Sequence, residues 1–290
     1  MQSVRFAQNK QKMKKLFLSV GLLAAITFIH AQQLVTPQPS PTQVVKQNFG
    51  IGSIELNYSR PGVKGRTVFG DLVPYNNVWR TGANNATTLT FSDDVTISGT
   101  TVKAGKYGLL SIPGEKEWTV IITKDVNVNQ PSLYKKENDV VRVMARPVAL
   151  PFNVETFTIQ FADLTSNSCN LQIIWGQTAV MLPITTNTDA KVMVQIDNIF
   201  NKDTKPYFGA ASYYYEAGKD LPLAKTWIDK ALADPANAKA YYMYLLKARI
   251  HEKMGDKAGA KLNAEKTITF AKEAKNADYE KMAADLIKKL

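Results

Sequence analysis

The chain has 290 residues, 45% of them hydrophobic and 21% charged, with a formal net charge of +11. This composition is typical of a globular protein, and the length predicts two domains. The positive charge is spread along the chain: residues 1–31 hold five basic and no acidic side chains, residues 32–186 hold 13 and 11, and residues 187–290 hold 18 and 14. Neither larger segment is strongly basic, which excludes a typical nucleic-acid binder.

Residues 1–31 have the three parts of a secretory signal peptide. Lys14 and Lys15 precede the apolar run Leu16–Ile29, and the small residue Ala31 follows. A run of this length is too short to span a bilayer. The single cysteine, Cys169, is far from this junction, so no lipoprotein anchor can form there. We therefore expect an exported protein, periplasmic or secreted, with no stable membrane anchor after cleavage; an uncleaved anchor is the alternative.

The next segments predict a leader and then a β-domain. Residues 32–41 contain three prolines and form an extended, Pro-rich leader. From residue 42 to residue 186, apolar and polar residues alternate, as in Ile54 to Tyr58, and turn residues recur every eight to twelve positions. Nine or ten short strands in this pattern predict an all-β sandwich or jelly roll. The polar stretch 125–139 is expected to be a long surface loop.

Residues 187–290 change to a helical period. Six helices are predicted, at 191–200, 207–217, 223–232, 238–254, 258–275 and 278–290. Ala224 and Ala260 occupy similar places in successive helix pairs, 36 residues apart, which is close to the tetratricopeptide period. Phe208 stands where that repeat usually has Trp. The overall prediction is an α+β multidomain chain, a β-sandwich domain followed by a small tetratricopeptide-like helical domain, with a plain helical bundle as the alternative.

Several common chemistries lack their residues. Beyond residue 31 the chain has one histidine, His251, in the helical part, so no Ser-His-Asp or Cys-His arrangement can form in the β-domain. The usual His/Cys zinc site is excluded for the same reason. Asp93 and Asp94 fall in a predicted turn, where Asp is favoured for local hydrogen bonding. The sequence therefore predicts no metal, no cofactor and no catalytic residue.

The stretch from Tyr58 to Phe91 concentrates directional polar groups. It holds three of the seven arginines, along with four glycines and two prolines. Guanidinium groups donate paired hydrogen bonds to carboxylate or phosphate, aromatic faces pack on sugars or rings, and Thr and Asn add neutral polar groups. The candidate ligand-binding residues are Arg60, Lys64, Arg66, Tyr75, Trp79, Arg80, Thr81 and Asn84. The structural alternative is a clasp, in which the arginines bind backbone carbonyls and Trp79 closes one end of the core.

The same stretch carries a family resemblance. It contains the motifs RPGVKGR, FGDLVPY and VWRTGAN, which are followed by AGKYGLLSIPG and EWTVIITK. Over about residues 40–186, the chain resembles the domain-of-unknown-function 2911 family of secreted Bacteroidetes proteins. The resemblance implies an exported β-domain with these limits and implies no activity. Members of the family often have Glu after the Asn of GAN. Here that position is Asn85, which argues against an acid/base carboxylate at this point.

Three functions are compatible with these residues. The preferred hypothesis is a non-catalytic binding module for a small anionic or carbohydrate ligand, joined to a helical tail that binds a protein partner. The second is a hydrolase-type enzyme that combines the Arg/Lys-lined site with Asp71. The third is a periplasmic scaffold in which the helical tail alone binds.

Overall fold

The structure is a computed structural model that describes residues 36–200 and 205–290. The predicted signal peptide and the first part of the leader lie outside these residues. The chain divides into two compact units, one ending at Thr185 and one spanning Thr186–Leu290. Within the described ranges, no helix is both long and apolar enough to cross a membrane.

The first unit is a β-sandwich of two antiparallel sheets, as predicted. Within the described residues it has ten strands: β1 Thr42–Phe49, β2 Gly52–Ser59, β3 Thr88–Phe91, β4 Val95–Ile97, β5 Thr100–Val102, β6 Gly105–Ile112, β7 Trp118–Thr123, β8 Asp139–Ala145, β9 Val148–Ala162 and β10 Ser168–Thr185. One sheet has the order β1-β2-β3-β6-β7-β8, and the other the order β5-β4-β10-β9.

The sandwich core forms between the two sheets because successive side chains of a strand point to opposite faces. In β2, Ile54, Leu56 and Tyr58 are buried while Glu55 and Asn57 are exposed. One contiguous apolar cluster contains residues of both sheets, and its largest fully buried side chains are aromatic. The alternation in the sequence thus assigned the inward face of this strand correctly.

Strands β9 and β10 differ from the short strands that were predicted. The sequence pattern predicts two separate strands, at 170–175 and 180–184, whereas the structure has one strand, β10, over both segments. This strand pairs with β9 through two register shifts around Gly176. Gly176 has φ +59°, a conformation that glycine adopts without steric cost. Gly176 therefore marks a β-bulge inside one longer strand.

The polar stretch 125–139 is attached to the outer face of the six-stranded sheet. It contains two short 3₁₀ helices, Pro131–Leu133 and Lys136–Asn138. Val128 is only 1% exposed and packs with Leu110 and Ile121. This segment is irregular, as predicted, but a small second core fixes it to the sheet.

The second unit contains six α-helices in its described residues, as the helical period predicted. They are α1 Asp189–Phe200, α2 Tyr207–Glu216, α3 Leu221–Leu232, α4 Tyr241–Lys253, α5 Lys257–Glu273 and α6 Ala277–Lys289. Asp220, Asp256 and Asn276 cap the N-termini of α3, α5 and α6 by accepting hydrogen bonds from backbone N–H groups. Alanines such as Ala248 and Ala264 are fully buried where α4, α5 and α6 pack together.

Candidate functional site

Residues 60–87 connect β2 to β3 and fold over part of the sandwich core. Val63, Val68 and Val73 of this connection are buried in the main apolar cluster. The backbone N–H of Val63 donates to Glu155 O at 2.8 Å, which ties the connection to β9. Three separate valines thus attach a segment with few regular hydrogen bonds to the core.

Trp79 is held between backbone and core contacts. Its backbone N–H donates to Ser111 O at 2.7 Å, and its backbone C=O accepts from the Ser111 N–H at 2.9 Å. The indole N–H donates to Gly82 O at 3.0 Å. The ring stacks on Trp175, with centroids 5.9 Å apart and an interplanar angle of 15°, and meets Phe157 edge-on. Trp79 therefore has a fixed orientation, and its side chain remains partly exposed.

A pocket of about 540 Å³ lies beside Trp79. Cationic side chains line it together with aromatic, proline and aliphatic groups, a mixture typical of sites for small organic ligands. Its lining includes Pro39, Ser40, Pro61, Lys64, Arg66, Leu72, Pro74, Val78, Trp79, Arg80, Pro131 and Trp175. Four of the eight predicted site residues, Lys64, Arg66, Trp79 and Arg80, are among them.

The three cationic side chains of the pocket differ in how many hydrogen bonds they form with the rest of the protein. Arg66 donates to Val63 O at 3.0 Å and to Gly62 O at 2.7 Å. Arg80 donates from Nη1 to Asn129 O at 2.9 Å, while its Nε is buried and has no hydrogen-bond partner among the described residues. The Lys64 ammonium forms no hydrogen bond or ion pair with any residue that the structure describes. The site thus retains unused donor capacity on two of its cations.

The other four predicted residues do not line the pocket. Arg60 donates to Phe157 O and Thr158 Oγ1, and Asn84 donates to Ser40 O at 3.0 Å. The Tyr75 ring packs against Gly70, where an added Cβ would lie 2.8 Å from the ring. These contacts match the clasp alternative, since they fasten the connection, β9 and the leader to one another.

Thr81 is a buried residue that follows the pocket residues Trp79 and Arg80 and does not itself line the pocket. It is fully buried and has φ +53°, which is rare for a β-branched residue. Its hydroxyl hydrogen-bonds to Ser111 Oγ at 2.9 Å, and its C=O accepts from Thr87 Oγ1 at 2.7 Å. Backbone strain of this kind costs on the order of 1–3 kcal/mol and persists where surrounding contacts fix it. Thr81 therefore sets the chain direction immediately after Trp79 and Arg80.

No acidic side chain is found among the described residues that line the pocket. Asp71, the carboxylate of the hydrolase hypothesis, is exposed and lies outside the lining. Glu155 is nearer, and its Oε1 accepts from the backbone N–H of Lys64 at 2.8 Å. In the part of the chain that the structure describes, no cluster of three or more His, Cys, Asp or Glu side chains could hold a metal ion. The charged side chains that line the pocket are therefore all positive, and the Glu155 carboxylate lies next to this lining at the Lys64 backbone.

Three parts of the pocket wall were not predicted from the sequence. Trp175 comes from β10, Pro131 from the loop that packs on the outer sheet face, and Ser40 from the leader. Trp175 lies in a strand pattern that explains it fully as a core residue. Proline in a leader or a loop has an equally simple local explanation. Only the three-dimensional fold brings these residues next to Trp79.

The sandwich unit matches a known family. A family model described as "Protein of unknown function (DUF2911)" matches residues 40–184, which contain strands β1 to β9, all but the last residue of β10, and the whole connection from β2 to β3. Searches of curated proteins and of solved structures gave no match. The match covers half of the chain, and the protein therefore belongs to the DUF2911 family.

Proposed function

We propose that the sandwich unit is a non-catalytic binding module for a small organic anion that has a ring or another compact body. One observation carries the proposal: the pocket brings Lys64, Arg66 and Arg80 together without a carboxylate among its lining residues. An anion supplies the missing charge, and guanidinium groups suit carboxylate or phosphate. The faces of Trp79 and the neighbouring prolines provide apolar area for the body of the ligand.

Export and a binding tail complete the proposal. The signal-peptide pattern of residues 1–31 and the resemblance to secreted Bacteroidetes proteins support a periplasmic or extracellular location.

In the helical unit, α2, α4 and α6 line a groove of about 310 Å³. Its aromatic and apolar side chains include Tyr242 and Met282, which are 38% and 36% exposed. We propose that this groove binds a protein partner, as tetratricopeptide-like surfaces do.

Thermal-shift titration tests the anion pocket. Glucuronate, benzoate and phosphate are compared with the uncharged compounds glucose and benzyl alcohol. A bound anion present at a concentration of 100 times its Kd stabilises the protein by about 2.7 kcal/mol, which raises Tm measurably. Lys64→Gln removes a charge that makes no internal contact, so we expect several-fold weaker binding with an unchanged Tm of the free protein.

The control is Arg146→Gln, since Arg146 is exposed and lies outside the pocket. It should leave binding unchanged. If none of the anions raises Tm, or if both variants weaken binding equally, the pocket proposal is wrong.

The tail is tested by crosslinking to partners in an extract of the compartment. Tyr242→Glu places a charge in the groove and should abolish the crosslink. Leu262→Glu, at a residue 55% exposed on α5 and outside the groove, should preserve it. Equal loss with both variants would contradict a groove-specific partner.

A further inference from the structure

A second, polar groove adjoins the pocket in the sandwich unit. It has a volume of about 400 Å³, and most of its lining is polar. Asparagines from three parts of the chain meet there with a threonine and a lysine. The lining consists of Asn57, Asn85, Ala86, Thr88, Lys106, Val126, Asn127 and Asn129. We call this site the amide groove.

In the part of the chain that the structure describes, the polar side chains of the amide groove have no internal partners. Within the described residues, none of the four asparagine amides hydrogen-bonds to another protein group, and neither does the Thr88 hydroxyl or the Lys106 ammonium. Each amide offers two donors and one acceptor oxygen, and the hydroxyl can do both. The groove thus presents many neutral donors and acceptors and a single charge, which suits a ligand rich in hydroxyl groups.

The amide groove and the pocket share two walls. Residues 82–86 line the pocket with their first part and the amide groove with their last part. Residues 126–131 line them in the opposite order, with Asn129 in the amide groove and Pro131 in the pocket. The hydrogen bond from Arg80 Nη1 to Asn129 O, 2.9 Å long, joins a residue that lines the pocket to a residue that lines the amide groove. The two sites are therefore neighbours on the same unit, separated by this contact.

Their chemistries differ in a complementary way. The pocket offers three cations and an indole face, whereas the amide groove offers neutral hydrogen-bonding groups. Neither lining contains a carboxylate in the described chain. A ligand with an acidic ring at one end and a neutral, hydroxylated ring at the other would use both sets of groups.

We infer that the two sites bind one extended ligand, an acidic oligosaccharide, with its charged sugar in the pocket and a neutral sugar in the amide groove. This inference rests on the proposed anion pocket and adds the class of its ligand. The Arg80 guanidinium, which lines the pocket and contacts Asn129, lies at the junction of the two sugars.

Isothermal titration with three probes tests the inference: glucuronate, N-acetylglucosamine and the disaccharide that joins them. We expect the disaccharide to bind about tenfold more tightly than glucuronate, since two or so additional net hydrogen bonds supply that factor. Asn57→Ala and Asn127→Ala should reduce the affinity for the disaccharide toward that for glucuronate and leave glucuronate binding unchanged. Asn48→Ala, an exposed asparagine outside both sites, is the control.

The outcomes separate the two proposals. If glucuronate binds but the disaccharide gains nothing, or if the amide-groove variants bind the disaccharide as the parent does, the extended ligand is wrong and the anion pocket stands. If the disaccharide binds and glucuronate does not, and Lys64→Gln has no effect on the disaccharide, the anion pocket itself is wrong. If no probe binds, the acidic-sugar inference is wrong, and the anion-pocket proposal is then decided by the thermal-shift titrations with benzoate and phosphate.

Discussion

The most deeply buried side chains of the two units differ greatly in size. In the sandwich, the largest fully buried side chains are aromatic: Trp118, Trp175, Tyr58, Phe91 and Phe157. In the helical unit, most of the residues with no exposed surface are alanines: Ala211, Ala224, Ala248, Ala260, Ala264, Ala271 and Ala283. The distance between packed helices depends on the side chains at the contact, so small residues there allow close approach.

This difference has a consequence for the candidate site. Trp79, which forms one wall of the pocket, contacts the aromatic core through Trp175 and Phe157. Large rings make many contacts, and a loss of one leaves a large cavity. We therefore expect the sandwich to be most sensitive to side-chain removal, and the helical unit to be most sensitive to side-chain enlargement.

The largest effect is expected for Phe157→Ala. Phe157 is fully buried and lies edge-on to Tyr58, Trp79 and Trp175 at centroid distances of 5.2–5.8 Å. Its removal should lower the free energy of unfolding by about 3–5 kcal/mol. Urea unfolding followed by tryptophan fluorescence measures this, because three of the four tryptophans lie in the sandwich.

The matched control for this variant is Phe152→Ala on the same strand. Phe152 is 59% exposed, so its removal should change stability by less than about 0.5 kcal/mol. Similar losses in the two variants would show that the aromatic cluster does not dominate the stability of the sandwich.

The sequence predicted the fold where periodicity is local. Two-residue alternation identified the sandwich, and a helical period identified six helices close to their observed ends. It divided β10 into two short strands on either side of Gly176, because only the pairing with β9 shows that this glycine forms a bulge within one strand. Val128 was assigned to a surface loop because nothing local indicates the Leu110 and Ile121 side chains that bury it.

The candidate site was predictable in part for a related reason. The connection that carries Lys64, Arg66, Trp79 and Arg80 is continuous in sequence, so composition alone pointed to it. Residues from elsewhere in the chain were not predictable, since their positions depend on long-range pairing. Composition also could not separate Arg80, which lines the pocket, from Arg60, which binds backbone and hydroxyl oxygens of β9.

An intermediate effect is expected for Ala264→Leu in the helical unit. Ala264 has no exposed surface and packs between helices with Ala248 and Ala283. Added methylene groups in a packed core force side chains and backbone to shift, which should cost about 1–3 kcal/mol. Thermal unfolding followed by circular dichroism at 222 nm reports the helices. Ala258→Leu, at an exposed position of the same helix, is the control and should be nearly neutral. Equal stability of the two variants would refute tight alanine packing.

The smallest effect is expected from acid, and again in the helical unit. Hydrogen bonds donated by lysine or by backbone N–H groups stabilise the ionised forms of Asp189, Asp256 and Asp285 and lower the pKa of each carboxyl group. A pKa lowered by folding adds stability above the unfolded pKa of about 3.9, and this stability is lost as pH falls through the folded pKa. We therefore expect the 222 nm melting temperature to decrease as the pH is lowered from about 5 toward 2.

Asp285 allows this pH dependence to be assigned to a single group. Lys281 and Lys288 both donate to its carboxylate, at 2.9 and 3.0 Å, and hold its pKa at about 2. Asp285→Asn keeps the shape and removes the titration, so the melting temperature of this variant should decrease less steeply with acid than that of the parent. The pairs are exposed and screened, so the difference should be small and should shrink in 1 M salt. An identical slope in both proteins would show that the two lysines contribute nothing measurable to helix stability.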